Sequence, residues 1–341
     1  MNMMKDIARV AGVSTATVSR VLNGSPQVKP ETAAHVRQII QRMKYYPNQT
    51  ATGFKSGRSG MYGLILPDIS NPFFADFVKQ FEAVVTARDQ DMMFATTDLL
   101  PALMLKAVGR MLKRKVEGIV VLESEIETEA VEAMLHNQVP VVTLDRWTVG
   151  HGLSDVAMDC APGMSEAVKY LKELGHTRIG FIGGIAGQAI SQHRQSIFAK
   201  ALRQHGLVVR SESVVAGNFR VGGGATAMAA LLSRDNRPTA VLTANDMTAI
   251  GAMRALLEAG LHPGRDVSVV GLDDIALCEA VYPPLTTVHL PMRDIADTYM
   301  RAFDRLENTA DKAGEQYFVA SKLVIRQSTG PALKAGSKRK G

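Results

Sequence analysis

Apolar residues along this 341-residue chain repeat with two different periods, and the change of period divides the sequence. From Lys5 to Ala11, Ile7, Ala8, Val10 and Ala11 fall toward one side of a short helix. Gly12 and Val13 break it, Ser14 is a good N-cap, and Val18, Val21 and Leu22 then stand at i, i+3 and i+4 of a second helix. Pro30 suits the first position of a third helix over about Glu31 to Met43, whose apolar stripe is Ala34, Val36, Ile39, Ile40 and Met43. Two short helices joined by a glycine-containing turn and closed by a third predict a helix-turn-helix. From Met61 the period changes: YGLILPD, MMFATTD, GIVVLES and VPVVTLD alternate with helical stretches, and the pattern restarts after Pro162 with RIGFIGG, TAVLTAND and VSVVGLDD. Such alternation predicts parallel sheets covered by helices. The expected fold is an all-α helix-turn-helix head followed by an α/β body of two doubly wound parallel-sheet subdomains.

If Val18, Val21 and Leu22 face inward, Thr15, Ala16, Thr17, Ser19, Arg20 and Asn23 remain for the outer face of the second helix. Hydroxyls, a methyl and a guanidinium can read base edges and phosphates in a major groove, although an ordinary capped surface helix could present the same residues. Charge favours the first reading. Residues 1–60 carry nine Lys and Arg against Asp6 and Glu31, and four more basic residues follow Pro331, so with a formal net charge of +6 the span between is acidic. A basic head on an acidic body is the footprint of polyanion binding. Between head and body, QTATGFKSGRSG has the low hydrophobicity, glycines and basic residues of a linker held near phosphate.

DIARVAGVSTATVSRVLNG followed by YYPN resembles the DNA-binding head of the LacI family of bacterial transcription regulators. The resemblance implies a helix-turn-helix domain over residues 1–46 and a hinge over 47–60 that folds on DNA. It implies an effector-binding and dimerisation body over 61–330; the tail over 331–341 is basic, has no apolar period and is expected to be disordered. Within the body the resemblance implies one subdomain of about 61–160 plus 290–322 and another of about 161–289 plus 323–330. Thr15 and Ala16 match positions that choose the operator, and Arg20 a base-contacting one. Thr17, Ser19, Asn23, Tyr45 and Asn48 match positions that contact the DNA backbone or support the head. Phe54 stands where the family has a leucine wedge in the minor groove, a task an aromatic ring can perform. Gly53 in the hinge weakens its helix by about 1 kcal/mol relative to alanine. Dimerisation is expected along the body, with the helix from Pro72 among its surfaces.

Ligands of open α/β sheets bind at the carboxyl ends of the strands, where this sequence places Asn71, Asp145, Arg146, Asn245, Asp246 and Asp273. Arg194 and Phe219 lie in or near loops, and NPFF supplies Phe73 and Phe74. Carboxylates and amides take vicinal hydroxyls, arginine donates in pairs, and aromatic faces cover the apolar side of a sugar ring. Asp and Asn also cap helices that follow strands, and Phe pairs also build cores, so each residue has a second reading. NPFF, TLDR, SQHRQSIF, GNFR, ANDMTAIGAMRAL and VVGLDD are similar to segments of ribose-type periplasmic sugar-binding proteins. By that resemblance Asn71, Phe73, Phe74, Asp145, Arg146, Arg194, Phe219, Asn245 and Asp273 fall on monosaccharide contacts, and His289 stands where the group has glutamine.

No run approaches the roughly 18 apolar residues a membrane span needs, and the mean hydropathy is +0.02. MNMMKDIARVAG has no signal-peptide pattern, so a cytoplasmic location is expected. Cys160 and Cys278 have no metal-ligand spacing and are expected as free buried thiols. GFIGGIAG lacks GxGxxG in frame, and no GxxxxGK[ST], GxSxG or HExxH occurs, so neither catalysis nor a cofactor or metal is expected. The expected protein is a homodimeric repressor of a sugar-utilisation operon, binding a pseudo-palindromic double-stranded operator and released by a monosaccharide. A corepressor, a nucleoside or purine effector, and a sugar-binding transport protein are the alternatives.

Overall fold

The computed structural model describes residues 3–22, 25–45 and 59–333, in two compact units, Met1–Gly60 and Met61–Gly341. In the first unit α1 (Met3–Ala11), α2 (Thr15–Leu22) and α3 (Pro30–Arg42) enclose a small core of Ile7, Ala8, Ala11, Val18, Val21, Val36 and Ile39. Ser14 Oγ accepts the Thr17 amide at 3.1 Å, the expected cap of α2, worth about 1 kcal/mol. Two stripe positions depart from expectation. Val10 is 54% exposed, and Ala34 is exposed while Ala33 packs on the core. At 3.6 residues per turn Val10 lies about 100° from the centre of the Ile7–Ala8–Ala11 stripe, and Ala34 about 170° from that of Val36 and Ile39. Asn23, Asn48, Phe54, most of the hinge and the basic tail from Lys334 lie outside the described residues.

The second unit holds two six-stranded sheets. In the first, β1 (Met61–Leu66), β2 (Asp91–Thr96), β3 (Gly118–Val121), β4 (Val141–Leu144), β5 (Leu153–Asp159) and β11 (Gln316–Ala320) take the order β11-β5-β4-β3-β1-β2, all parallel. In the second, β6 (Ile179–Ile182), β7 (Val214–Val215), β8 (Ala240–Thr243), β9 (Ser268–Asp273), β10 (Thr286–His289) and β12 (Lys322–Val324) take the order β12-β10-β9-β8-β6-β7. Only β12 runs antiparallel there. The chain crosses from the first sheet to the second after β5 and returns for β11. β5 escapes a search for apolar runs because Ser154 and Asp155 interrupt it, yet both are buried.

Helices cover both sheets and set the positions of the loops at the strand ends. Phe77 and Phe81 of α4 (Pro72–Thr86) stack at 5.8 Å between ring centroids, and Tyr299 of α12 (Met292–Asn308) meets Phe77 edge-on at 5.3 Å. In the second subdomain α9 (Val221–Leu232) and α10 (Asp246–Glu258) cross in backbone contact. A Cβ on Gly224 would overlap Thr248 O, and one on Gly251 would overlap Val221 O. Glycine is required at both positions because the helices approach closely, and the contact fixes the starts of α9 and α10 beside each other.

Candidate functional site

The loops after the strands of both sheets surround one cavity of about 430 Å³. It is lined by Asn71, Phe73, Phe74, Asp145, Arg194, Phe219, Asn245 and Asp273 of the sequence-derived set. At its floor Arg194, from α8 (Ala189–Gln204), is 6% exposed; its Nη1 donates to Ala244 O at 2.6 Å, while Nε has no protein partner. Its guanidinium carbon lies 5.8 Å from the centroid of the Phe219 ring. Asp145 and Asp273 are 3% and 4% exposed. Burial pushes the Asp145 carboxyl up to about 7, opposed chiefly by the charge of Arg194. Burial likewise raises Asp273 well above the carboxylate range, again against Arg194. One buried cation therefore serves two buried acids, an arrangement suited to hydroxyl groups that donate to the carboxyls and accept from the guanidinium.

Backbone strain marks the same residues. Asp145 (φ +51°), Phe219 (φ +60°) and Asp273 (φ +128°) all lie in the region that favours glycine, and a bulky residue such as Phe219 enters it at a cost. Asn245 shows how Phe219 is held: its Oδ1 accepts the Thr248 amide at 3.0 Å and caps α10, and its Nδ2 donates to Phe219 O at 3.0 Å. Asn71 Oδ1 accepts the Phe73 amide at 3.2 Å and caps α4. Both asparagines thus cap helices and line the cavity. Asp246 works beneath the floor, accepting from the Thr287 hydroxyl at 2.5 Å, the Ile275 amide at 2.9 Å and Cys278 Sγ at 3.0 Å. Cys160 and Cys278 are buried free thiols.

Arg146 and His289 do not line the cavity. The Arg146 and Trp147 amides both donate to Asp155, at 3.0 Å each, which turns the chain after Asp145. His289 Nδ1 meets Asp274 Oδ2 at 2.9 Å, and Asp274 Oδ1 pairs with Arg326 at 2.8 Å, so the imidazole is engaged outside the cavity. The cavity wall also contains residues that sequence reasoning passed over: Asp68, Leu99, Glu123, Glu125 and Arg220. Arg220 Nη2 pairs with Asp68 Oδ2 at 2.9 Å, and Glu125 Oε1 accepts the Ala189 amide at 2.7 Å, each joining the two subdomains across the cleft. Trp147 and His193 add a ring contact at 4.4 Å. The Arg220–Asp68 pair is exposed on the arginine side, so it contributes little to stability.

Asp145 gives the body a defined pH response. The folded protein retains a proton on this carboxyl up to about pH 7, whereas the unfolded chain releases it near pH 4. The native state binds more protons across that window, so stability is full below it and falls as pH rises. Between pH 5 and 7 this group is expected to remove about 2–3 kcal/mol from the unfolding free energy. Asp145→Asn cannot ionise and should flatten that loss in urea titrations at stepped pH; identical pH dependence in both proteins would contradict the assignment.

In the first unit Thr15, Ala16 and Arg20 are exposed on α2, and Thr17 and Ser19 are half-buried. The Thr17 hydroxyl is 2.9 Å from Ser14 Oγ, and Tyr45 packs against the three-helix core. Among the described residues, no cluster of His, Cys, Asp or Glu is arranged to hold a metal ion, and no helix is long and apolar enough to cross a membrane.

Comparison with known proteins accounts for both units. Residues 3–48 match the bacterial regulatory proteins of the lacI family, and residues 168–329 a periplasmic binding protein-like domain. The chain is 32% identical to catabolite control protein A of Priestia megaterium over 326 residues, covering 95% of this chain and 98% of that protein. It is 33% identical to the ribose operon repressor of Escherichia coli (strain K12) over 299 residues, covering 87% and 90%. The Lac repressor dimer bound to operator and the anti-inducer ONPF has the same architecture, with a TM-score of 0.81, 26% identity and coverage of 95% and 98%.

Proposed function

This chain belongs to the lacI family of bacterial regulatory proteins, a DNA-binding transcription regulator and not an enzyme, and we propose that it is a cytoplasmic repressor released by a neutral sugar. The observation that carries the sugar reading is the floor of the cleft: Arg194 between the buried carboxyls of Asp145 and Asp273, with the Phe219 ring over the guanidinium. Hydroxyl groups satisfy both the acids and the unpartnered Arg194 Nε, and Phe73, Phe74 and Phe219 offer faces to the ring carbons.

The form of the operator follows from symmetry. Two copies place two heads on half-sites about one helical turn, roughly 34 Å, apart, so the operator is a pseudo-palindrome. Thr15, Ala16 and Arg20 face the bases; Thr17, Ser19, Asn23 and Asn48 serve the DNA backbone, Tyr45 braces the head, and Phe54 wedges the minor groove. A sugar bound between the subdomains favours the relation of the two sheets in which it touches both. It lowers operator affinity only by binding the released state more tightly than the DNA-bound one. Iterative selection of the full-length protein on random DNA tests the dimeric reading. The expected winners are two inverted half-sites; single half-sites without symmetry would refute it.

A further inference from the structure

Strands β6 to β10 of the second sheet are parallel, so their carboxyl ends all face the cleft and the loops that lead into them all lie on the opposite edge. In the sheet order β8-β6-β7, Arg237 precedes β8, Arg178 precedes β6 and Arg210 precedes β7. At about 4.8 Å between strands these loops span about 10 Å. Neighbouring loops touch: Arg178 Nε donates to Arg237 O at 3.3 Å. Residues 172–178, 203–213 and 233–239 together hold six Lys and Arg against Glu173, Glu212 and Asp235, on a body that is acidic as a whole. Among the described residues no carboxylate pairs with Arg178, Arg203, Arg234 or Arg237, and Glu212 approaches Arg210 only to 4.0 Å. A helix C-terminus attracts cations only within its last turn. That accounts for Lys172 of α7 (Ala161–Glu173) and Arg203 of α8, whereas Arg178, Arg210 and Arg237 lie well past the ends of α7, α8 and α9.

The end of the chain is fastened to the same edge. Val269 N donates to Ser328 O at 2.8 Å, Gly330 N to Ser268 Oγ at 3.0 Å, and Ala332 N to Leu174 O at 2.9 Å. His176, 2% exposed, donates from Nε2 to Gly330 O at 2.9 Å. The basic residues Lys334, Lys338, Arg339 and Lys340 therefore begin just past a point held beside the Leu174–Arg178 loop. They cannot pair with the arginines around their root. Like charges gathered within a Debye length, about 8 Å at physiological salt, are relieved by a shared anion.

We infer that this edge and the basic tail form a DNA contact additional to the helix-turn-helix head, one that grips the phosphate backbone of a duplex without reading bases. The 10 Å or so from the Arg237 loop to the Arg210 loop matches about three nucleotides of one strand, at 3.4 Å of rise each. Guanidiniums suit phosphate oxygens. The three loops contain no Phe, Tyr or Trp on which single-stranded bases could stack. Val208 is their one large exposed apolar side chain, so they also lack the aromatic anchors of a protein interface.

Two-colour electrophoresis of the full-length protein tests this. The protein is saturated with a short labelled operator holding only the two half-sites, and a random-sequence duplex with a second label is added. Complexes carrying both labels are expected at low salt and lost as salt rises. Ending the chain at Leu333 removes the four tail charges and leaves every described residue in place. It should weaken the second duplex tenfold or more and reduce the salt slope by about 3–4. Arg178→Gln with Arg237→Gln should weaken it by a similar factor, and both variants should bind the short operator within twofold of the parent. If the edge instead reaches flanks of the same duplex, a long-flanked operator binds the parent tenfold more tightly than the short one, and the shortened chain loses that gain. Absence of both effects in the parent, or their persistence in both variants, would overturn the inference. Polyglutamate binding the operator-saturated protein more tightly than a duplex of equal charge would overturn DNA as the partner.

Discussion

Arg194→Ala is expected to weaken sugar binding by a hundredfold or more while operator affinity stays within twofold of the parent. The guanidinium is buried, donates to Ala244 O at 2.6 Å, and keeps Nε for the ligand. Hydrogen bonds from a charged group contribute about 1.5–3 kcal/mol each, so loss of the ligand contacts alone accounts for the hundredfold. Two indirect effects add to it. Asp145 and Asp273 lose the charge that opposes their burial and become poorer acceptors, and the Phe219 ring loses its cationic neighbour. Arg194→Lys should fail to restore binding, because an ammonium cannot reproduce the planar fork. Calorimetry with the tightest-binding sugar, beside operator titration of the same preparations, measures both quantities. Near-parent sugar affinity in the alanine variant would mean that the floor of the cleft is not the seat.

Arg20→Ala should act on the other unit. Arg20 is exposed on α2, whose Val18 and Val21 anchor the helix in the head core. A bidentate base contact discriminates by about 1–3 kcal/mol, so affinity for the selected operator should fall ten- to a hundredfold or slightly more. Binding to random-sequence DNA should fall by far less, because phosphate contacts elsewhere on the basic head persist. Equal losses on both DNAs would reassign Arg20 to the backbone. Sugar affinity should remain unchanged in either event.

The head was legible because its two shortest signals, the Ser14 cap and the spacing of Val18 and Val21, are local. The helix phase was less so. Val10 and Ala34 are apolar yet face solvent, and composition alone cannot say which side of a helix meets a core seven residues large. At the cleft, the strand-end rule located Asn71, Asp145, Asn245 and Asp273. It could not separate Asp145 from Arg146, since the turn that parts them is made by Asp155, ten residues on and buried in β5. His289 pairs in register with Asp273, but the next residue, Asp274, engages its ring. Glu123 carried a visible signal as the acid closing GIVVLES. Its partner Thr97 directly follows β2, which lies beyond β1 in the sheet, and that neighbour relation is a matter of topology. The same holds for β11 and β12, short strands reached only after the chain has crossed between sheets.

In the proposed function a sugar in the cleft governs the hold of the head on DNA. This is tested most directly by titrating the tightest-binding neutral sugar into a complex of the full-length protein with its selected operator, followed by fluorescence anisotropy. The expected result is release at sugar concentrations matching the calorimetric affinity, and retention of the operator by Arg194→Ala throughout the same titration. An operator affinity unchanged at saturating sugar, or release that Arg194→Ala shows equally, would contradict it.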